Sequence, residues 1–237
     1  MKTQIGTFIS TGSPALTELA AECGFDWVLI DLEHGCESEA ALPNQLRALR
    51  GSQTLAIVRV SAPHVDLIGR VLDWGADGIM VPHVDTVAHA EHCVQAALYP
   101  PKGMRGVSRT VRAYGYGLRL PVNDVPKPII LAQIETAEGV SNANSIAEVE
   151  GIDALFIGPA DLSYDLKARN SPHSYDDCLN AVVKAAKHHG KGCGILVRHA
   201  DDKEKLKALG LTWVAMDSDL SLVREGFKRN LEVGRAW

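Results

Sequence analysis

Two hydrophobic patterns alternate along the chain. Continuous apolar runs of four to six residues, such as Trp27–Leu32, are typical of strands that are buried on both faces of a parallel sheet. Stretches whose apolar residues recur every three or four positions, such as Thr86–Leu98, are typical of amphipathic helices. Because the two patterns follow one another repeatedly, the sequence predicts an α/β fold.

The number of repeats narrows the architecture. The strand-like runs are Ile5–Ser10, Trp27–Leu32, Leu55–Val60, Gly78–Val81, Ile129–Ile134, Ala154–Ile157, Gly194–Val197 and Trp213–Met216. The helical stretches are Ala15–Cys23, Glu37–Arg50, Val65–Trp74, Thr86–Leu98, Gly139–Val149, Tyr175–His188, Lys203–Leu209 and Leu220–Leu231. Alternation of this kind requires right-handed crossovers and a parallel sheet. Eight units in 237 residues predict a single (β/α)₈ TIM-barrel domain over residues 1–237, with a closed parallel sheet.

Composition excludes several classes of protein. Net charge is −5 and the isoelectric point is near 6.0, so we expect neither nucleic acid nor an anionic membrane surface as a partner. The first ten residues lack the apolar core of a signal peptide. Five scattered cysteines without CxxC spacing indicate reduced thiols in a cytoplasmic protein. Neither GxGxxG nor GxxxxGK[ST] is present, which removes the two commonest nucleotide-binding signatures of open sheets.

Carboxylates follow two neighbouring strand-like runs. Glu135 comes directly after Ile129–Ile134, and Asp161 follows Ala154–Ile157 after a Gly-Pro-Ala turn. Because the carboxyl ends of parallel strands lie on one side of the sheet, we expect the two side chains to face each other. Two hard oxygen ligands with water suit Mg²⁺ or Mn²⁺ better than structural zinc. A metal-free acid/base pair, as in glycosidases, is the alternative that spacing leaves open.

Further polar residues are predicted at the carboxyl ends of the strands, at the barrel mouth that carries Glu135 and Asp161. His34 lies three residues after Asp31, and an Asp–His pair can orient an imidazole as a general base. Arg59 lies on an otherwise apolar strand, so its guanidinium needs an anionic partner, either a substrate carboxylate or enolate or a neighbouring Glu. Gln133 lies two residues before Glu135. For His83, at the fourth strand end, we favour a structural role.

One long segment, Tyr99–Lys127, has no regular pattern and contains clustered Gly, Pro, Arg and Tyr residues. Irregular segments of this length in compact domains are usually functional or disordered. The mixture of arginine and tyrosine favours function.

Several ordered pieces of the chain resemble the HpcH/HpaI family of class II pyruvate aldolases. They are GFDWVLIDLEHG, GADGIMVPHV, YPPKGMRGVS, AQIETAEGV and IGPADLS. The resemblance runs from about Gly6 to past Asp217. It implies a TIM barrel that cleaves 4-hydroxy-2-oxo acids reversibly to pyruvate and an aldehyde, and that forms hexamers. We expect Tyr99–Lys127 to contact a neighbouring subunit.

The resemblance also implies roles for individual residues. Metal ligands would be Glu135 and Asp161, holding Mg²⁺, Mn²⁺ or Co²⁺. His34, held by Asp31, would work with a metal-bound water as the base, and Arg59 would stabilise the enolate. Gln133 would line the site, and the backbone at Ala160 and Asp161 would hold the pyruvate carboxylate.

Two other functions stay open on the sequence. One is a citrate-lyase-like lyase acting on acyl-CoA esters, against which the missing adenine or diphosphate signature argues mildly. The other is a non-catalytic barrel that binds pyruvate. The strand ends carry no lysine for a Schiff base, which favours the metal route to the enolate over the covalent one.

Overall fold

A computed structural model describes residues 2–119, 125–198 and 203–237. Its eight strands form a closed barrel in sequence order, and every neighbouring pair is parallel. The strands are β1 (Gln4–Ile9), β2 (Trp27–Asp31), β3 (Leu55–Arg59), β4 (Gly78–Val81), β5 (Ile129–Ile134), β6 (Ala154–Ile157), β7 (Gly192–Val197) and β8 (Trp213–Ser218). The predicted TIM barrel is therefore confirmed.

Helices follow the strands around the barrel. They are α1 (Pro14–Glu22), α2 (Leu42–Ala48), α3 (Val65–Asp73), α4 (Val87–Ala97), α5 (Ala137–Glu148), α6 (Pro159–Ala168), α7 (Tyr175–His188), α8 (Lys203–Ala208) and α9 (Asp219–Arg235). Ser13 caps α1, accepting a hydrogen bond from the backbone N–H of Leu16, with Pro14 in the first turn. Among the described residues, no helix is both long enough and apolar enough to cross a membrane.

Of the predicted stretches, two differ most from the structure. The helix predicted over Glu37–Arg50 begins only at Leu42, because Pro43 fits the first turn of a helix and not its interior. The segment Tyr99–Lys127 contains one short 3₁₀ helix, Arg112–Gly117, while its residues 120–124 lie outside the described ranges.

The barrel interior is filled by large apolar side chains. Trp27 belongs to this interior cluster, with ring centroids 5.4 Å from Trp213 and 6.2 Å from Phe156. Gly6 on β1 makes room for it, because a Cβ there would stand 2.2 Å from the indole. A second and larger core lies between the outer face of the barrel and the helices. The interior layer supports the polar residues above it.

Candidate active site

The polar residues at the mouth continue the inward-facing rows of the barrel. Side chains alternate in direction along a strand, so Asp31 follows inward-facing Leu29 and Arg59 follows Ile57. Gln133 and Glu135 follow Leu131 in the same way. All four polar side chains are buried, with exposed fractions of 2–6%. The strands that build the core therefore also carry the site.

Asp31 and Arg59 form a bidentate ion pair across neighbouring strands. Their Cα atoms are partners in the β2–β3 register. The Nε and Nη2 groups of Arg59 donate to the two Asp31 carboxylate oxygens at 2.9 and 2.7 Å. Arg59 Nη1 also lies 3.0 Å from Oε2 of Glu33, without the alignment of a hydrogen bond. The sequence left open whether this guanidinium pairs with a substrate group or with a neighbouring carboxylate. In the structure, its neighbours are the carboxylates of Asp31 and Glu33.

These contacts raise the pKa of Arg59. Burial acts to lower it, but the hydrogen bond to Asp31 and the negative charges of Asp31, Glu33 and Glu135 outweigh that effect. A fork of this geometry holds the guanidinium in one orientation. Arg59 is therefore a fixed cation beside the centre of the mouth.

The predicted pairing of Asp31 with the His34 imidazole is not found. Asp31 Oδ1 instead accepts hydrogen bonds from the backbone N–H groups of Glu33 and His34, at 3.1 and 3.3 Å. The imidazole itself is 66% exposed, and its Nε2 lies 3.9 Å from Oε2 of Glu33. Asp31 thus shapes the loop that carries His34, because a short acidic side chain readily binds main-chain donors just beyond it.

Glu135 is almost completely buried and is held at both oxygens. Oε1 accepts the backbone N–H of His83 at 2.8 Å and lies 3.2 Å from His83 Nδ1. Oε2 accepts from Nε2 of Gln133 at 2.6 Å. Burial raises the pKa of Glu135, and the negative charges of Glu33 and Asp161 raise it further, while the contacts with His83 lower it. Burial and the neighbouring negative charges thus outweigh the stabilisation that His83 gives to the ionised carboxylate.

Asp161 lies in the first turn of α6, not at the end of a strand. The helix begins at Pro159, directly after Gly158, so the predicted turn is itself the helix N-terminus. Asp161 is exposed, and its charge reaches Glu135. The first backbone N–H groups of a helix have no partner within the helix, so those of Ala160 and Asp161 are suited to an anionic group.

Gly158 provides the space in which Glu135 packs. A Cβ at this position would stand 2.5 Å from Glu135 Oε2 and 2.9 Å from Gln133 Nε2. Oε1 of Gln133 is buried and has no hydrogen-bond partner. The amide therefore presents a free oxygen next to the carboxylate.

The donor set fits a hard divalent cation. Two carboxylates and an unpartnered amide oxygen are ligands that Mg²⁺ and Mn²⁺ prefer, and a cation would relieve the electrostatic cost that raises the pKa of Glu135. Within the described ranges, no cluster of three or more His, Cys, Asp or Glu residues could hold a metal. The protein would therefore supply only part of a coordination shell.

Comparison with known sequences assigns the family. Residues 4–226 match the profile described as HpcH/HpaI aldolase/citrate lyase. The chain belongs to this family. It is 36% identical over 231 residues to 5-keto-4-deoxy-D-glucarate aldolase of Salmonella arizonae, a match that covers 95% of this chain and 90% of the relative. The HpcH/HpaI protein described here is thus an aldolase, a carbon–carbon lyase, as the resemblance implied.

Solved structures share the fold closely. A family protein from Burkholderia cenocepacia is 30% identical with a TM-score of 0.91, covering 99% of this chain and 95% of the other. The citrate synthase SbnG is 29% identical with a TM-score of 0.82, covering 99% of this chain and 94% of its own. Proteins with different reactions therefore share this barrel.

Two residues of this HpcH/HpaI aldolase were not expected to be so central. His83 has a φ of +52°, a conformation that is uncommon for a non-glycine residue and worth attention at a site. That backbone turn directs its N–H to Glu135. Glu33 also contacts Arg59. The sequence signal for Glu33 is its position two residues after Asp31, since alternate residues of an extended chain point to the same side. The sequence carries no signal for the backbone conformation of His83.

Proposed function

We propose that the protein catalyses the reversible retro-aldol cleavage of a 4-hydroxy-2-oxo acid to pyruvate and an aldehyde. The observation that carries the proposal is the buried Glu135, which lies with Asp161 and the fixed guanidinium of Arg59 at one barrel mouth. The name of the 36%-identical relative supports a hydroxylated dicarboxylic oxo acid as substrate. Cleavage of such a six-carbon acid would leave a three-carbon aldehyde acid beside pyruvate.

The proposed cofactor is Mg²⁺, Mn²⁺ or Co²⁺. Glu135 and Asp161 would hold it, with the free oxygen of Gln133 beside them, and water completing the shell. The cation, when bound, supplies positive charge that stabilises the enolate oxygen. The raised pKa of Glu135 supports this assignment, because a buried carboxylate without a counter-ion is poorly stabilised.

The proposed steps follow from the positions of the side chains. His34 takes the proton from the 4-hydroxyl group, and the bond between C3 and C4 breaks. The electron pair of that bond forms the enolate of pyruvate, and the new carbonyl leaves as the aldehyde. Protonation of the enolate carbon then gives the methyl group of pyruvate. The exposed imidazole of His34 is accessible to substrate for the first transfer.

Arg59 and α6 would bind the pyruvyl end. Asp31 uses two of the five guanidinium N–H groups of Arg59, and Glu33 lies beside Nη1, so the enolate oxygen would take one of the remaining N–H groups. The N–H groups of Ala160 and Asp161 would hold the carboxylate. Donors aimed at developing negative charge typically contribute a few kcal/mol to lowering the barrier.

The assembly and compartment complete the proposal. We infer a homo-oligomer, a hexamer by resemblance to the family, which light scattering would test. All five cysteines are free thiols, which supports a reducing compartment such as the cytoplasm.

The deciding experiment combines metal depletion with substitution. EDTA-treated protein should release pyruvate from a 4-hydroxy-2-oxo acid only after Mg²⁺, Mn²⁺ or Co²⁺ is restored. Glu135→Gln and Asp161→Asn should each remove most of this activity while the far-ultraviolet circular dichroism stays unchanged. Glu18→Gln, on the exposed face of α1, serves as the control. Full metal-dependent activity in either site variant would refute the proposal.

A citrate-type carbon–carbon reaction is the second candidate. The 29%-identical citrate synthase supports it, as does the family description, which includes citrate lyase. An assay that supplies oxaloacetate and an acyl-CoA ester in place of the aldol substrate would distinguish the two candidates. Turnover of these compounds alone would favour this candidate over the aldol reaction.

A further inference from the structure

Four arginines lie close together outside the barrel, although the chain as a whole has a net charge of −5. Arg47 and Arg50 lie at the end of α2 and just beyond it. Arg112 begins the 3₁₀ helix, and Arg119 follows that helix by two residues. Within the part of the chain that the structure describes, none of the four forms an ion pair. The four arginines therefore carry positive charge that no ion pair balances.

Arg112 bridges the carboxyl ends of α2 and α3. Its Nη1 and Nη2 groups donate to the carbonyls of Trp74 and Leu46, at 2.7 and 2.8 Å. Carbonyls at the end of a helix carry partial negative charge, so Arg112 covers two acceptors that would repel an anion. Its charge also reaches Asp77, whose carboxylate instead accepts the backbone N–H of Ala56 at 2.8 Å. Three of the five guanidinium N–H groups have no hydrogen-bond partner among the described residues.

A cavity of about 340 Å³ lies between α2, α3 and the 3₁₀ helix. The polar side chains of its lining are those of Arg47, Arg70, Asp73, Thr110, Arg112 and Tyr116. Arg47 donates to Oδ1 of Asn44 at 2.5 Å, a neutral acceptor that leaves the charge of Arg47 unbalanced. The cavity thus brings together guanidinium and hydroxyl groups, which are donors suited to an oxyanion.

The other charged groups of the lining already have partners. Arg70 pairs with Glu39 at 2.5 Å. Asp73, the acid of the lining, pairs with buried Arg105, also at 2.5 Å. The charge that remains at the cavity is therefore positive.

The charged form of Arg112 is destabilised by the other three arginines. Burial lowers the pKa of Arg112, and the positive charges of Arg47, Arg50 and Arg119 lower it further. Tyr116 acts in the opposite direction but does not compensate for them. Like charges in a poorly solvated site repel one another, and an anion placed among them would relieve that repulsion. The arrangement costs stability without an anion, which favours a role in binding.

Tyr116 reaches the cavity from a strained backbone. Its φ of +58° lies in the left-handed region, which residues with bulky side chains rarely adopt. Its neighbours Gly115 and Gly117 also have positive φ, so the chain turns sharply there. Strain of this kind persists where the surrounding structure requires it, often at binding sites. The turn brings a side chain that is 61% exposed, with its hydroxyl group, to the cavity.

We propose that this cavity binds a small metabolite through a phosphate group. The guanidinium groups of Arg47 and Arg112 would donate to the phosphate oxygens, and the Tyr116 hydroxyl would add a third donor. A phosphate dianion offers several acceptor oxygens, whose geometry the planar guanidinium fork matches. Arg50 and Arg119 would add to the positive potential around the ligand.

The cavity is separate from the candidate active site. Helix α3 ends at Asp73 and β4 begins at Gly78, so the cavity lies near the amino ends of the strands. The mouth that carries Glu135 is at their carboxyl ends. Binding at the cavity would therefore not depend on the proposed aldol reaction.

Isothermal titration with a matched pair of variants tests the site. Inorganic phosphate, which is a dianion at about pH 8, should bind once per chain at low salt. Arg47→Gln should raise the dissociation constant at least fivefold. Arg229→Gln removes the same charge from an exposed position on α9 and should leave the constant within about twofold. No binding to the parent protein, or equal effects of the two variants, would overturn the proposal.

Chemical modification of the parent protein locates the bound phosphate without any substitution. Phenylglyoxal reacts with exposed guanidinium groups, so phosphate should slow the modification of Arg47 and leave that of Arg229 unchanged, as measured by peptide mass spectrometry. An unchanged rate at Arg47 would place the phosphate elsewhere and would overturn the proposal.

Two further ligands test the chemical class. Glycerol 3-phosphate should displace inorganic phosphate, as expected if the site takes a phosphate group carried on a larger molecule. Succinate, a dianion that lacks the tetrahedral oxygens of phosphate, should bind more weakly than phosphate. Failure of the ester to compete, or succinate binding as tight as that of phosphate, would refute the assignment of the ligand.

Discussion

Replacing Gly158 with alanine tests whether the packing around Glu135 matters for cation binding. The backbone at Gly158 has φ −90° and ψ 94°, which alanine can adopt, so the substitution introduces no strain of a left-handed conformation. Its new methyl group, however, would stand 2.5 Å from Oε2 of Glu135 and 2.8 Å from its Cβ. The steric effect therefore acts on the proposed ligand itself.

The size of the effect follows from these distances. Ordinary contacts of a Cβ begin near 3.4 Å, whereas this one would be 2.5 Å. Glu135 or the start of α6 must therefore move by about 0.9 Å to relieve the overpacking. Such overpacking typically costs about 1–3 kcal/mol of unfolding free energy. Displacing the surroundings of a metal ligand typically costs about 10–100-fold in affinity. We expect both changes in Gly158→Ala.

The assay compares Gly158→Ala with Gly106→Ala. A Cβ at Gly106 meets no heavy atom within 4 Å, so this control adds a methyl group without a clash. Urea unfolding measures stability, and isothermal titration of Mn²⁺ measures affinity. Mn²⁺ affinity in Gly158→Ala within twofold of that in Gly106→Ala would show that the packing around Glu135 does not position a ligand.

Three further predictions concern Glu37, His83 and Arg59. Burial raises the pKa of Glu37 to about 7, and neither buried oxygen has a partner, so the folded protein keeps a proton that the unfolded chain releases. Stability should fall by about 1–2 kcal/mol between pH 5 and pH 8 after allowance for solvent screening; urea unfolding of Glu37→Gln should lack this decline. At His83, valine should cost about 1–3 kcal/mol because of the positive φ and should weaken Mn²⁺ binding, whereas glycine should preserve the N–H contact with Glu135; equal Mn²⁺ affinities in the two variants would contradict this. Arg59→Lys should lose the fork to Asp31 and lower kcat at least tenfold with folding retained; unchanged kcat would rule out a role for the fork.

Much of the fold could be predicted because each element carries its own signal. Buried strands such as Trp27–Asp31 are continuous apolar runs, and Ser13 with Pro14 marks the beginning of α1. The helix around Pro43 was extended too far towards the N-terminus, because an acidic and alanine-rich sequence such as Glu37–Ala41 is compatible with a helix but does not require one. The packing of α9 could not be predicted, since apolar residues at helical spacing indicate a helix but not the surface that it contacts.

The sequence predicted which residues form the candidate site, but only some of the contacts between them. Strand alternation places Asp31, Arg59 and Glu135 at the mouth, and this much depends on sequence spacing alone. The spacing of Asp31 and His34, however, is equally compatible with a bond to the imidazole and with a bond to the backbone N–H. The register of β2 with β3 decides between them, because it places the guanidinium of Arg59 against the carboxylate.

The balance of charge at the mouth explains why a cation fits the proposed reaction. Arg59 is already engaged by Asp31 and Glu33, so it offers little net positive charge to Glu135 and Asp161. A 2-oxo acid would bring a further carboxylate into this region, and like charges in a poorly solvated site repel strongly. A divalent cation between Glu135 and Asp161 would reverse the local sign, permit the anionic substrate to bind, and lower the pKa of Glu135. Affinity for a 2-oxo acid should therefore depend on the cation even in a variant that cannot turn over, such as His34→Ala; metal-independent binding of pyruvate to that variant would contradict this argument.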